Sequence, residues 1–461
     1  MNKSMKSAIC TVLLLLFSVM SFPAAVFADE AMPAPLNTSV PFSLSQNGAY
    51  YLAELHTDTL IYAENEHKKM YPASLTKIMT AILTLEHCPD LSQTVTYTQE
   101  AYDWVEAQYE AAGGNVSSAG LHLGEEMTIK DLLYGCLISS GNDAAEILAF
   151  HVGGTNAAFY DMMNEKAKAL GAMNTNFCNA NGLFDENHYT TAYDMYLIAK
   201  YAMQNDTFAE IVSTKTYHSS PTNMNPNGYT WKTTVFLMDP MSEYFYSNDI
   251  KGVKTGTLLA AGRCLVTVLE KEIEHGEHAQ YMLVLMGADI YGNRVDFAET
   301  KAFYNWALDN YTVHEFYAEG AVVQNVDIRF AKSKQDSLAL VAEEAAYGFF
   351  PYQRGAGFTV HDISYDFTID EELLNKKGGI NAPVTEGQVI GTLKIMNGAE
   401  ELDCINLLAS ETVERNTLKW LFFTVIESIV FKLLVVLAVV VLAIRTVNKI
   451  RYRRRYGRLR F

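Results

Sequence analysis

Apolar and polar positions change period several times along the chain, and each change predicts a different kind of element. Behind Lys3 and Lys6 an apolar run covers residues 8–19, followed by Ser21, Pro23 and small residues up to Ala28. That layout predicts a secretory signal over 1–28, removed on export. Residues 29–46 are polar and rich in Pro, Ser and Asn, which predicts a linker. Short β-prone runs at 49–55 and 59–62 flank Thr57-Asp58 and predict a hairpin. Helix-like runs follow at 78–85, 129–137, 144–150, 161–170 and 191–202, the second and third separated by Ser139-Ser140-Gly141-Asn142. After a polar stretch at 219–228, strands are expected at 252–253, 264–269 and 281–286, and a helix at 294–309 closes the unit. The expected catalytic unit is 47–317.

Beyond it helical periodicity fades. Short β-prone runs at 321–326, 338–341, 358–360 and 388–395 predict a small all-β domain over 318–413. Residues 421–444 are then apolar except for Glu427, Ser428 and Lys432. A helix of that length reaches about 36 Å, enough to cross a hydrocarbon layer of about 30 Å. Residues 433–444 are apolar without a break, so no polar face is left for an interfacial helix, and a transmembrane helix over 421–444 is expected. The basic tail, 445–461, carries eight Lys or Arg and is expected on the cytoplasmic side. Strands mixed with helices, followed by an all-β unit, give an α+β fold class.

Composition sharpens this topology. The 461 residues are 49% hydrophobic with a formal net charge of −18. Between the two basic ends, 25 basic residues face 53 acidic ones, a net of −28, which repels a nucleic-acid backbone and removes nucleic acid from the expected partners. Five cysteines follow the signal segment: Cys88, Cys136, Cys178, Cys264 and Cys404. Their odd number and wide spacing support neither a disulfide framework nor a zinc site. His275 and His278 sit among Lys271, Glu272, Glu274 and Glu277 and read as a solvated turn, so no metal is expected.

Three sparse motifs carry chemistry. Ser74-Leu-Thr-Lys77 is the one S-x-x-K in the chain, and it falls where a loop enters the helix at 78–85. Positions i and i+3 share a helical face, so the serine Oγ and lysine Nζ can meet without help from elsewhere. Taken alone, the motif reads more readily as a capping serine beside a solvated lysine. S-x-N occurs twice, as Ser45-Gln46-Asn47 and as Ser140-Gly141-Asn142 at a break between helices. Lys254-Thr255-Gly256 is the one K-T-G, on a β-prone run where Gly256 lets a ligand approach the backbone. The order S-x-x-K, S-x-N, K-T-G in an exported chain is a strong joint signal for an acylated serine.

With these motifs the chain resembles the serine D-alanyl-D-alanine carboxypeptidases, the low-molecular-mass penicillin-binding proteins. The resemblance extends through Tyr71-Pro-Ala-Ser-Leu-Thr-Lys-Ile-Met-Thr80, the run ending at Asn142 and continuing into Asp143-Ala-Ala-Glu146, Asn181-Gly-Leu183, His188-Tyr-Thr-Thr-Ala-Tyr-Asp194 and Gly252-Val-Lys-Thr-Gly256. Asn381-Ala-Pro-Val-Thr-Glu-Gly-Gln-Val-Ile-Gly391 resembles the family's C-terminal β-domain. It implies a β-lactamase-like, transpeptidase-like catalytic domain: an antiparallel sheet with helices on its faces and a helical cluster.

The resemblance also implies roles. Ser74 would attack the carbonyl between two D-alanines of a peptidoglycan stem pentapeptide and form an acyl-enzyme that water hydrolyses. Lys77 would be the base, its charge disfavoured by burial and by Lys254; lowering its pKa from about 10.4 to 7 needs roughly 4–5 kcal/mol. Ser140 would relay a proton to the leaving amine, and Asn142 would hold the substrate's peptide group. Lys254, Thr255 and Thr257, beside Gly256, would bind the terminal carboxylate, and the N–H groups of Ser74 and Thr257 would form the oxyanion hole. No cofactor is needed, and β-lactams are expected as covalent inhibitors. Arg263 stands where the family commonly has an aromatic residue. A class A β-lactamase would need E-x-x-L-N between the second and third motifs, but Glu371-Glu-Leu-Leu-Asn375 follows the third. An endopeptidase acting on cross-links, or a non-catalytic wall-binding module, remain as alternatives.

Overall fold

The structure, a computed structural model, describes residues 34–456 apart from 115, 274–276, 353–362 and 376–377. The expected signal segment, the run at 358–360, the turn at His275 and the last residues of the basic tail lie outside the described residues.

A five-stranded antiparallel sheet forms the centre. Its strands are β1 (Ala49–Glu54), β2 (Thr59–Glu64), β3 (Ile250–Leu258), β4 (Gly262–Ile273) and β5 (Glu277–Ala288), in the order β2-β1-β5-β4-β3. Every residue of β1 is buried, because alternate side chains enter two different cores. Ala49, Tyr51 and Ala53 face the helical layer, while Tyr50 and Leu52 face the opposite core with Phe303 and Tyr304. Those two aromatics lie on the long helix Val295–Asn310, which covers the second face.

The helical layer contains α1 (Lys77–His87), α2 (Gln99–Ala111), α3 (Ile129–Leu137), α4 (Asn142–Gly153), α5 (Asn156–Ala169), α6 (Ala192–Met203) and α7 (Asp206–Val212). Threonine or asparagine caps start most of them: Thr98, Thr128, Thr155, Thr191 and Asn205 each accept a backbone N–H one turn on. Helix α1 runs through the middle of the layer, buried from Lys77 to Thr84. Helix α2 had no apolar signal, since Ala101 and Val105 are its buried residues; its Thr98 cap and surface position account for it.

Residues 34–46 do not behave as a free linker. Leu36 and Asn37 donate backbone hydrogen bonds to Leu60 and Ile61 of β2, and Val40, Phe42 and Leu44 pack on the second core. Alternating apolar positions hidden among Pro and Ser give this segment something to bury.

The β-rich unit forms a six-stranded sheet, ordered Ile363–Ile369, Val389–Asn397, Glu400–Ala409, Ser337–Ala342, Val322–Arg329 and Ile380–Asn381, parallel at its last pair and antiparallel elsewhere. Strand Tyr311–Tyr317 pairs with Ala346–Pro351 and bridges the expected boundary at 317, since Tyr311 packs in the second core and Phe316 and Tyr317 pack on the third. Two helices follow, Thr417–Glu427 and Ile429–Tyr456. The apolar stretch is thus broken at Ser428, whose extended backbone ends the first helix and whose Oγ accepts the Phe431 N–H to start the second. Among the described residues, one helix is long and apolar enough to cross a membrane, Ile429–Arg453, of 25 residues; it overlaps the expected span of 421–444 from Ile429 onward.

Candidate active site

Pro72 leads into a single 3₁₀ turn, Ala73–Thr76, that runs directly into α1. Ala73 takes a left-handed φ of 49°, which turns the chain sharply and leaves Ser74 half-buried at the helix start. Lys77, one turn on, is fully buried, and its Nζ donates to Ser74 Oγ at 3.0 Å, Asn142 Oδ1 at 2.6 Å and the Asn181 carbonyl at 2.6 Å.

Asn142 opens α4. Just before it, Ser140 holds φ 62°, a second strained position, in the break between α3 and α4. On the facing strand, β3, the fully buried Lys254 donates to Ser140 Oγ at 2.8 Å and to the Thr255 carbonyl at 2.9 Å. Thr255 Oγ1 donates to Thr234 Oγ1 at 2.7 Å. A Cβ on Gly256 would stand 3.1 Å from the Ser74 nitrogen and 3.0 Å from the Pro72 carbonyl oxygen, so the missing side chain lets the strand lie against the serine turn. Thr257 is exposed on the same strand and pairs across to Arg263 of β4. Ser74, Lys77, Ser140, Asn142 and the Lys254–Thr257 strand therefore converge, whereas Ser45-Gln46-Asn47 lies at the entry to β1, with Ser45 bound to Glu299.

Several neighbours had no motif to announce them. Asn181 accepts from Lys77 through its backbone carbonyl, and its side chain donates to Glu146 and Gln108. Gly182, at φ 87°, brings the Asn179–Leu183 loop so close that a Cβ would stand 1.9 Å from the Ala73 carbonyl oxygen. The buried His188 meets Thr76 Oγ1 at 2.8 Å, and Thr76 donates in turn to the Ala73 carbonyl at 2.9 Å. Their stretches, Asn181-Gly-Leu and His188-Tyr-Thr-Thr, were visible only as part of the family resemblance.

Electrostatics follow from the burial of two cations. Burial brings Lys77 down to about 8, opposed by the carboxyl groups of Glu146 and Asp143, which favour its charged form. A shift of that size corresponds to roughly 3 kcal/mol of bias against the ammonium. Burial and then the Lys77 charge push Lys254 well below its ordinary range. Glu146, fully buried, rises to about 7 because burial outweighs its hydrogen bonds and Lys77.

A serine hydroxyl held against a buried lysine whose proton is loosened, beside a second serine–lysine pair at a sheet edge, defines a serine–lysine acyl-transfer enzyme. The profile of the D-alanyl-D-alanine carboxypeptidase family matches residues 37–289, more than half of the chain, and that of the penicillin-binding protein 5 C-terminal domain matches 311–415. The chain belongs to the D-alanyl-D-alanine carboxypeptidase family. It is 29% identical over 364 residues to the D-alanyl-D-alanine carboxypeptidase DacF of Bacillus subtilis, covering 79% of this chain and 85% of that one. It is 29% identical over 300 residues to the D-alanyl-D-alanine endopeptidase of Escherichia coli, covering 63% and 87%. Among solved structures, penicillin-binding protein 5 from Haemophilus influenzae shares the fold at a TM-score of 0.59 with 22% identity, covering 82% of this chain and all of that one. The α+β class, with its sheet and helical catalytic unit and its β-rich C-terminal unit, accordingly stands, and the chain is a serine-type D-Ala-D-Ala carboxypeptidase of the penicillin-binding class.

Proposed function

We propose that Ser74 is the acylated nucleophile, with Lys77 its base, and that the substrate is the peptidoglycan stem pentapeptide. The observation that carries this is the 3.0 Å contact from the fully buried Lys77 Nζ to the half-buried Ser74 Oγ. Ser74 Oγ adds to the carbonyl carbon of the penultimate D-alanine as its proton passes to Lys77. The C–N bond then breaks, and the proton reaches the departing D-alanine amine by way of Ser140, leaving an ester on Ser74 that water cleaves. Lys254, Thr255 and Thr257 receive the terminal carboxylate, with Gly256 keeping that strand open to it. The Asn142 amide, its Oδ1 occupied by Lys77, offers its nitrogen to the substrate backbone. Backbone N–H groups of Ser74 and Thr257 take the oxyanion. β-Lactams enter as covalent inhibitors of the same serine.

In this reading 1–28 directs export and the chain divides at about 317. The apolar part of the helix that starts at Ile429 tethers it to the cytoplasmic membrane, with the acidic bulk outside and the tail at 445–461 inside. Nucleic acid is not a partner.

The test is made on the full chain in detergent, measuring D-alanine release from a pentapeptide, cleavage of a cross-linked muropeptide, and labelling by a fluorescent penicillin. Release and labelling are expected in the parent and neither in Ser74→Ala. Unchanged labelling in that variant refutes the assignment, and faster cleavage of the cross-linked muropeptide makes the enzyme an endopeptidase first.

A further inference from the structure

Glu146 occupies an unusual place: a fully buried carboxylate one residue layer behind Lys77, on α4, four positions after Asn142. Its Oε1 accepts from Asn181 Nδ2 at 2.8 Å and from the Ala180 N–H at 3.3 Å, and its Oε2 accepts from the Tyr160 hydroxyl at 3.2 Å. Asn181 is fully committed there, because its Oδ1 accepts the Leu183 N–H at 2.8 Å and its carbonyl receives Lys77. The carboxylate therefore clamps the loop segment that supplies one of the three acceptors around Lys77 Nζ.

We propose that Glu146 is a positioning residue for the Ser74 reaction: through Asn181 and Ala180 it fixes the carbonyl that receives Lys77, and its negative charge sets how tightly Lys77 keeps a proton. This rests on the assignment of Lys77 as the base. The titratable groups around Glu146 are Lys77 on α1, Cys136 on α3, Tyr160 on α5 and Asp143 on its own helix, with Lys254 beyond Lys77. Cys136 is pushed up to about 12 and Tyr160 higher still by burial, so both stay neutral near neutral pH. Asp143 is occupied with the backbone N–H groups of Ala119, Gly120 and Leu121. Glu146 and Lys77 are then the pair that titrates together, and the ionising carboxylate makes the ammonium harder to deprotonate.

The acylation rate of the full chain by a chromogenic β-lactam, followed from pH 5.5 to 10, tests this. In the parent the rise with pH is broader than a single titration, because Glu146 ionises inside the same window. Glu146→Gln keeps the acceptor oxygen for Asn181 and removes the charge; its rise is expected to be a single titration with a midpoint roughly one pH unit lower and an unchanged plateau. Glu146→Leu removes charge and clamp together and should share that midpoint with a plateau roughly tenfold lower. A Glu146→Gln profile superimposing on the parent's overturns the charge role, and equal plateaus for Gln and Leu overturn the clamp. A parent that is never acylated on Ser74 strikes instead at the assignment of the nucleophile.

Discussion

Acidification should loosen the nucleophile turn through His188, a residue that touches no substrate. The Cys178 N–H donates to His188 Nδ1 at 3.0 Å, which makes Nδ1 the acceptor and leaves the ring proton on Nε2, pointed at Thr76 Oγ1. Thr76 passes a hydrogen bond on to the Ala73 carbonyl, the peptide next to Ser74. A protonated ring would set Nδ1–H against the Cys178 N–H. Burial, assisted by the Lys77 charge, accordingly holds His188 down to about 4 from its ordinary 6.5. Between those values the unfolded chain carries the proton and the folded one does not, so folded stability falls as pH drops from 6.5 to 4, by roughly 3 kcal/mol in all. Glu146 acts with the opposite sign: raised to about 7, it takes its proton first in the folded state and adds stability as pH falls through 7 toward 4.5. The comparison therefore has to be made between parent and His188→Gln, which cannot titrate and can still accept and donate. Urea unfolding at pH 7, 5.5 and 4, followed by near-ultraviolet circular dichroism, measures it. The stability difference between parent and variant should move by roughly 3 kcal/mol against the parent from pH 7 to pH 4. A difference independent of pH would refute the reasoning.

Two further outcomes follow from geometry. Gly182→Ala places a methyl group 1.9 Å from the Ala73 carbonyl oxygen and should slow acylation at least about a hundredfold. Gly171→Ala, at a comparable φ of 82° but with Leu197 no nearer than 3.6 Å, should cost roughly 1–2 kcal/mol in thermal stability and leave acylation unchanged; both are read by penicillin labelling and thermal unfolding. Ending the chain after Ser428 should move the protein from the membrane to the soluble fraction with labelling intact, as fractionation and gel fluorescence will show.

The serine–lysine pair was legible because two residues three positions apart share one helical face and need no tertiary information. Ser140 and Lys254, 114 positions apart, meet only through the sheet and the α3–α4 break, so a joint motif and a family resemblance were needed to unite them. Asn181 escaped because it serves Lys77 through a backbone carbonyl, and every residue type has one. Glu146 escaped because a carboxylate in a helical run reads as a solvated position until its neighbours are known. In the fold, apolar runs located β1, α1, α3 and the helix Val295–Asn310 well. Helix α2 was missed, since two buried side chains in thirteen residues leave no stripe to read. Residues 34–46 pack and pair where composition predicted a linker, because composition there outweighed a weak alternation, and the helix break at Ser428 was hidden inside the apolar run by a Glu-Ser pair that interrupts both hydropathy and helix.

The central sheet treats its two edges in opposite ways. At β2, residues 36–37 run alongside as an extra partial strand and seal that margin against a neighbour. At the other margin, β3 has β4 as its only partner strand among the described residues, and Lys254–Thr257 sit on this unsealed side. An open sheet edge normally invites aggregation, and here it lies beside the serine that would be acylated. An extended peptide settling there would complete the sheet as a sixth strand, so that recognition borrows the grammar of β-pairing and leaves side-chain identity to the few pockets around it.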